Sequence, residues 1–181
     1  MTRSNSVRLI GCRSSRLVRR QRSRSPARTA GAAARRRKRA AGLVLGLGAL
    51  GSCLGILVAA TAATAAWASE GKAGKKLSFT FIIMIAAPIS QTLYSMILMN
   101  SMLTKPLTPA NTFLFVGVVL GCGLAECFSA YFQGKIGAAG IRCLNENGGQ
   151  GFGLLIIALG IIETVGIFGM VFGLAILNKA G

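Results

Sequence analysis

The chain has 181 residues, 52% of them hydrophobic, and a formal net charge of +17 at pH 7. Of its 21 lysines and arginines, 14 lie in residues 1–39, which contain no acidic residue, so the excess charge belongs to this segment and not to the body of the chain. The charge of the whole chain therefore does not indicate a nucleic-acid-binding protein, and the lack of histidine and of any CxxC pair argues against a metal site built on cysteine and histidine.

The N-terminal segment, residues 1–41, admits three interpretations. Its Arg-rich, Ser-rich and acid-poor composition is typical of an organelle transit peptide. It is also compatible with a disordered basic arm that binds lipid or nucleic acid. The third interpretation, which we favour, is a start codon assigned too far upstream, with the true start near Leu43 or Val44. A secretory signal peptide is not expected, because the apolar run that follows is too long for a signal core.

Four long apolar segments make up most of the remaining chain. Each carries at most one charge and exceeds the roughly 18 residues that a helix needs to span a bilayer. Polar and apolar residues do not alternate in them, which favours helices over barrel strands. The sequence therefore predicts an all-α membrane protein of two tandem helical hairpins, residues 42–109 and 110–181. Its four transmembrane helices are expected at residues 43–66, 78–102, 111–133 and 151–177.

The connections between the predicted helices differ in charge. The first carries three lysines and the third carries Lys135 and Arg142, whereas the second carries only Lys105. The positive-inside rule then places the first and third connections in the cytoplasm and both termini on the opposite side. This orientation puts the basic N-terminal segment outside, where such a cluster is least expected.

The two hairpins resemble each other in sequence. A shift of 72 residues aligns PISQTL (88–93) with GIIETV (160–165), so that Gln91 falls on Glu163. Small residues also recur at every fourth position in the first helix of each hairpin, a pattern that lets helix backbones approach closely in lipid. The two small-residue stripes are Gly51, Gly55, Ala59 and Ala63, and Gly117, Gly121, Ala125 and Ser129. We expect both stripes to form packing seams in an inner layer of first helices.

Glu163 lies in the middle of the last apolar segment, where a carboxylate is costly and is by default a functional candidate. The second predicted helix carries one mostly polar face, because four of its residues follow the helical spacing i, i+3, i+4, i+7. These are Ala87, Ser90, Gln91 and Tyr94. Pro88 adds a local break that frees a backbone carbonyl. On the third helix, Gln133 lies at a depth similar to that of Glu163.

Together these groups offer about five oxygen atoms and one negative charge, which suits a hard monovalent cation. A proton carrier needs only an acid in an apolar setting, so the additional oxygens favour Na⁺ over H⁺. These oxygens are one carboxylate, two amide oxygens, a hydroxyl and a backbone carbonyl, and Tyr94 can donate a hydrogen bond to the carboxylate of Glu163.

PISQTLY, FQGKIGAAGI and GIIETVGIFGM occur in this order along the chain. They resemble the proteolipid (the K or c component) of V-type and A-type rotary ATPases, and most of all its four-helix, Na⁺-translocating bacterial form. The resemblance covers about residues 42–181. It implies a homo-oligomeric rotor ring in the cell inner membrane, with Glu163 as the ion-binding carboxylate. It also implies the further Na⁺ ligands Gln133, Gln91, the Ser90 hydroxyl and the Ala87 carbonyl, and a hydrogen bond from Tyr94 to Glu163. It also implies a membrane stator subunit and a central-stalk subunit at the cytoplasmic loops as partners.

The resemblance implies no enzymatic activity for the chain by itself. No nucleotide-binding motif occurs in the sequence, so ATP hydrolysis or synthesis is expected on partner subunits. The alternative function is a small four-helix, proton-coupled secondary transporter, and a structural membrane protein is a further one. Neither explains the internal repeat or the polar face of the second helix.

Glu126, in the third predicted helix, is a departure from what the resemblance implies. We expect a protonated or lumen-facing carboxyl; a second ion site or a lipid contact is the alternative.

Overall fold

In the computed structural model, residues 26–179 are described, and none of them lies in a β-strand. Four helical segments are long and apolar enough to cross a membrane, which confirms the predicted all-α membrane architecture. The second segment is divided by a short 3₁₀ turn at Ala87–Ile89. The α-helices are α1 (Pro26–Lys72), α2 (Phe81–Ala86), α3 (Ser90–Thr104), α4 (Thr112–Glu146) and α5 (Phe152–Asn178).

The first helix begins much earlier than predicted, at Pro26 instead of residue 43. Residues 26–41 are therefore helical in the structure, although one of the three interpretations of the N-terminal segment is a disordered arm. Alanine and arginine favour helix here, and proline is well tolerated at a first helical position. By their contacts, residues up to Arg36 form a unit of their own, and Arg37–Gly181 form the second. Residues 1–25 lie outside the described part, so the three interpretations of the N-terminus stay predictions.

The third transmembrane helix is also longer than predicted. α4 continues to Glu146 instead of ending at residue 133, so most of the expected third connection is helical, and only residues 147–151 form the turn. The basic residues of this stretch suggested a loop, but it contains no proline, and Ala138, Ile141 and Leu144 are buried in the bundle. Three glycines with positive φ then reverse the chain, since this conformation is strained for other residues. They are Gly148 at 61°, Gly149 at 89° and Gly151 at 89°.

The helical break expected at Pro88 is present. Proline lacks the backbone N–H that an α-helix needs, and the chain forms the 3₁₀ turn at this point. The carbonyl of Pro88 accepts a hydrogen bond from the Ser52 hydroxyl of α1, and Thr92 donates to Ser52 at 2.8 Å. These bonds fix the start of α3 against α1.

The first small-residue stripe packs as predicted. Gly51 lies against the backbone of Cys127 and Gly55 against that of Ala130 and Gly134, so a Cβ on either glycine would overlap α4. Ala59 and Ala63 are also buried.

The second stripe does not form a seam within the chain. Gly117 and Gly121 are exposed, and a Cβ on either would meet nothing within 4 Å. The α4 residues that face α1 instead follow steps of four and three, which average the 3.5-residue period of two helices packed side by side. They are Gly123, Cys127, Ala130 and Gly134.

Two apolar clusters fill the interior, one toward each end of the helices. The first contains Leu98, Met102 and Phe115, and the second contains Phe81, Met84 and Ile141. Buried polar side chains from α3 and α4 lie between these clusters along both helices, and we call them the polar layer. Its members are Gln91, Ser95, Glu126, Ser129 and Gln133. The fold thus concentrates its buried polar groups near the middle of the membrane-spanning helices.

Candidate ion-binding site

The predicted polar face of the second helix exists and begins at the Pro88 break. The Ser90 hydroxyl lies 3.1 Å from the carbonyl oxygen of Ala87 and 3.1 Å from Oε1 of Gln91, and its one hydrogen can donate to either oxygen. Gln91 is fully buried, whereas Ala87 and Ser90 are half-buried. Three predicted ligands therefore form one group of oxygen atoms, held together by the 3₁₀ turn and the first turn of α3.

Tyr94 and Glu163 form the second group. The Tyr94 hydroxyl donates a hydrogen bond of 2.9 Å to Oε1 of Glu163, as predicted from the sequence. Both side chains are half-buried, because α5 packs on the bundle by one side only. The carboxylate thus lies at the edge of the bundle, in reach of the chain's outer surface.

Ser129 of α4 joins the two groups, and the sequence reasoning missed this role. Its hydroxyl accepts a hydrogen bond from Nε2 of Gln91 at 3.2 Å and donates to the carbonyl of Ile162 at 2.9 Å. Ile162 immediately precedes Glu163, so the Ser129 hydroxyl connects the Gln91 amide on α3 to the backbone beside the carboxylate on α5. With its amide nitrogen held by Ser129, Gln91 directs its oxygen toward Ser90.

Gln133 lies in the same polar layer, 1% exposed, and its Oε1 has no hydrogen-bond partner in residues 26–179. A buried amide oxygen without a donor is unfavourable by roughly 1–3 kcal/mol, and a bound cation would satisfy it. The hydrogen bonds do not join Gln133 directly to Glu163, so its assignment as a ligand stays a prediction. The donor set of carboxylate, amide, hydroxyl and carbonyl oxygens nevertheless fits a hard cation.

Glu126 lies inside the polar layer, 0% exposed, and neither carboxylate oxygen has a hydrogen-bond partner in residues 26–179. Its oxygens lie close to α5 at Gly166 and Gly169. The carboxyl is therefore shielded by its own chain from lipid and from any lumen, which contradicts the lumen-facing expectation and the lipid-contact alternative.

The helices α4 and α5, which contain Gln133, Ser129 and Glu163, also contain the segment that matches a known protein family. Residues 116–176 match the family model of the ATP synthase C subunit. The matched segment takes in most of α4 and α5. A search among curated proteins found no match to the chain. The match does not extend to α1, α2 and α3. Their resemblance to the matched hairpin rests on the internal sequence repeat alone.

Proposed function

We propose that this chain is the rotor-ring subunit of a V-type rotary ATPase and that it carries Na⁺ across the membrane on Glu163. The observation that carries the proposal is the 2.9 Å hydrogen bond from Tyr94 to Glu163, which holds a mid-membrane carboxylate beside the oxygen-bearing start of α3. The family match to α4 and α5 supports the rotor role in its general form.

Sodium is the preferred ion because of the oxygens around the carboxylate. Ser90, Gln91 and Ala87 present hydroxyl, amide and carbonyl oxygens in one hydrogen-bonded group, and Gln133 contributes a buried amide oxygen without a donor. A carboxylate that carries only a proton has no need of such a set, and one negative charge matches a monovalent ion. A proton is the alternative cargo.

The position of Glu163 supports a rotary mechanism. The half-buried carboxylate is nearly neutral when it holds a monovalent ion and can then face lipid at small cost. Without the ion it is a bare charge at membrane depth, which is strongly disfavoured. A ring of such chains therefore turns into the lipid only when loaded, and each ion leaves beside a polar channel or fixed cation on a stator subunit. The aligned position in the first hairpin holds Gln91, so each chain carries one ion on four helices.

The proposed assembly is a homo-oligomeric ring in the cell inner membrane, in contact with a membrane stator subunit. The connection between α1 and α2 and the turn at residues 147–151 face the cytoplasm and contact a central-stalk subunit. The basic residues near them, Lys75, Lys76 and Arg142, support this orientation. Nucleotide chemistry takes place on partner subunits.

Native mass spectrometry of the detergent-purified protein, followed by ²²Na⁺ binding, tests the proposal. We expect a large ring that binds one Na⁺ per chain and a Glu163→Gln ring that assembles but binds none. A small transporter would appear as a monomer or dimer, which contradicts the rotor role. A ring of full size that binds no Na⁺ would be consistent with the rotor role but would contradict Na⁺ as the transported ion.

A further inference from the structure

Glu126 is a second buried acid, and the proposed transport on Glu163 does not use it. Its carboxyl lies between α4 and α5, in space that two glycines leave open. A Cβ on Gly166 would lie 2.8 Å from Oε2 of Glu126, and a Cβ on Gly169 would lie 3.7 Å from Oε1. We call this space the Glu126 niche.

An ionised carboxylate in this niche has no compensation from the described residues. Neither oxygen accepts a hydrogen bond, and the side chain is 0% exposed. A buried and unpaired charge costs several kcal/mol even after the protein relaxes. The carboxyl must therefore bind a neutralising cation.

Among the atoms nearest to the two niche glycines, one oxygen comes from a residue other than Glu126. The nearest hydroxyl around Gly166 is that of Ser129, whose single hydrogen already goes to the carbonyl of Ile162. Gln91 turns its Cγ methylene toward the same space, with its amide held by Ser90 and Ser129. These nearest atoms favour a proton over Na⁺, because a hard cation takes several oxygen ligands.

The other titratable groups around this interior are all neutral or acidic. Tyr94 comes from α3, Cys122 from α4 one turn before Glu126, and Glu163 from α5 one turn before Gly166. None of them supplies a positive charge to Glu126.

We propose that Glu126 is a second cation-binding carboxyl of this chain and that its ion is a proton. The protein then holds two acids of different selectivity: a site with several oxygens at Glu163 and a proton site at Glu126. A neutral Glu126 also leaves Glu163 as the single negative charge in this interior, which keeps the neighbouring site suited to a monovalent cation. The proposal does not depend on the ion that Glu163 carries.

Infrared difference spectroscopy on the purified ring tests the proposal. The spectrum of Glu163→Gln minus that of the double variant Glu163→Gln/Glu126→Gln isolates the carboxyl of Glu126. We expect the C=O stretch of a protonated acid at pH 7 in potassium buffer, unchanged when NaCl is added. A Glu146→Gln difference spectrum is the control, because this exposed glutamate should give a carboxylate band.

Two results would overturn the proposal. A carboxylate band from Glu126 at pH 7 without Na⁺ means that the buried acid is ionised. Loss of the protonated band on addition of NaCl means that the niche is a sodium site. If the double variant does not assemble, the second measurement is the spectrum of the wild type minus that of Glu126→Gln, both in saturating NaCl. Absence of the protonated-acid band from this difference spectrum also overturns the proposal.

Discussion

The hydroxyl of Tyr94 donates a hydrogen bond of 2.9 Å to Oε1 of Glu163, across the contact of α3 with α5. The two residues lie 69 positions apart, so only the packing of the second hairpin on the first brings them together. This bond restricts the carboxylate to the side of α5 that faces α3. Both partners of the bond lie on helices and not on loops, so helix packing sets the orientation of Glu163.

Replacing Tyr94 with phenylalanine should weaken Na⁺ binding without abolishing it. The variant keeps the ring that packs between α3 and α5 but removes the donor to the carboxylate, which frees the rotamer of Glu163. Hydrogen bonds to charged groups contribute about 1.5–3 kcal/mol, so we expect a loss of about ten- to a hundredfold in Na⁺ affinity. Isothermal titration calorimetry of the purified ring with NaCl measures this Na⁺ affinity. Unchanged affinity would show that Tyr94 does not position Glu163.

Replacing Ser129 with alanine should weaken Na⁺ binding through Gln91. The substitution leaves Nε2 of Gln91 and the carbonyl of Ile162 without their shared partner, so the amide loses its fixed orientation. We expect a decrease in Na⁺ affinity of about three- to tenfold, corresponding to a hydrogen bond of about 1 kcal/mol. Ser129→Thr should restore it, because threonine keeps the hydroxyl.

The control for Ser129 is Thr104→Ala. Thr104 is a hydroxyl residue that bonds only within its own helix, to Ser101, and it lies far from the polar layer. Loss of the Thr104 hydroxyl should leave the Na⁺ affinity unchanged. If Ser129→Ala binds Na⁺ as tightly as Thr104→Ala, the bridging role of Ser129 is wrong.

Replacing Gly51 with alanine should destabilise the bundle. The new Cβ would overlap the backbone of Cys127 on α4, and overpacking of this kind costs about 1–3 kcal/mol. The matched control is Gly46→Ala on the same helix, where a Cβ meets nothing within 4 Å of this chain. A thermal unfolding scan in detergent compares them, and we expect a lower Tm for Gly51→Ala alone. Equal values would contradict the close contact of α1 with α4.

The fold was predictable where the apolar pattern was uninterrupted. α5 was expected at residues 151–177 and spans Phe152–Asn178, because no loop-forming residue divides this run. The end of α4 was missed because Lys135 and Arg142 suggested a loop, although the helix continues past the membrane-spanning part. Basic charge is therefore a poor indicator of where this helix ends.

Helical spacing predicted which site residues share a face of one helix, but it predicted less well which of them meet between helices. Helical spacing grouped Ala87, Ser90, Gln91 and Tyr94, and the structure keeps them together on one face. The bridge through Ser129 was missed because its partners lie on α3 and α5, and helix spacing does not determine how α4 is rotated. One signal was available, since Glu126, Ser129 and Gln133 follow steps of three and four and thus form a polar face on an apolar helix.

The second small-residue stripe shows the same limit. Gly117 and Gly121 have the spacing of a packing seam, yet they are exposed in the chain. A run of small residues shows where a helix can approach another, but the rotation of α4 decides which face does so. The buried face carries Gly123 and Gly134 instead.

The most direct test of the central claim is carbodiimide labelling of Glu163 in membranes, with and without Na⁺, across a pH series. Carbodiimide reacts with a protonated carboxyl, so Na⁺ bound by Glu163 should protect it, and more Na⁺ should be needed as the pH falls because H⁺ competes. Mass mapping of the adduct separates Glu163 from Glu126. Protection by Na⁺ but not by K⁺ is the result we predict; labelling of Glu163 that follows pH alone, whatever the Na⁺ concentration, would contradict the sodium site.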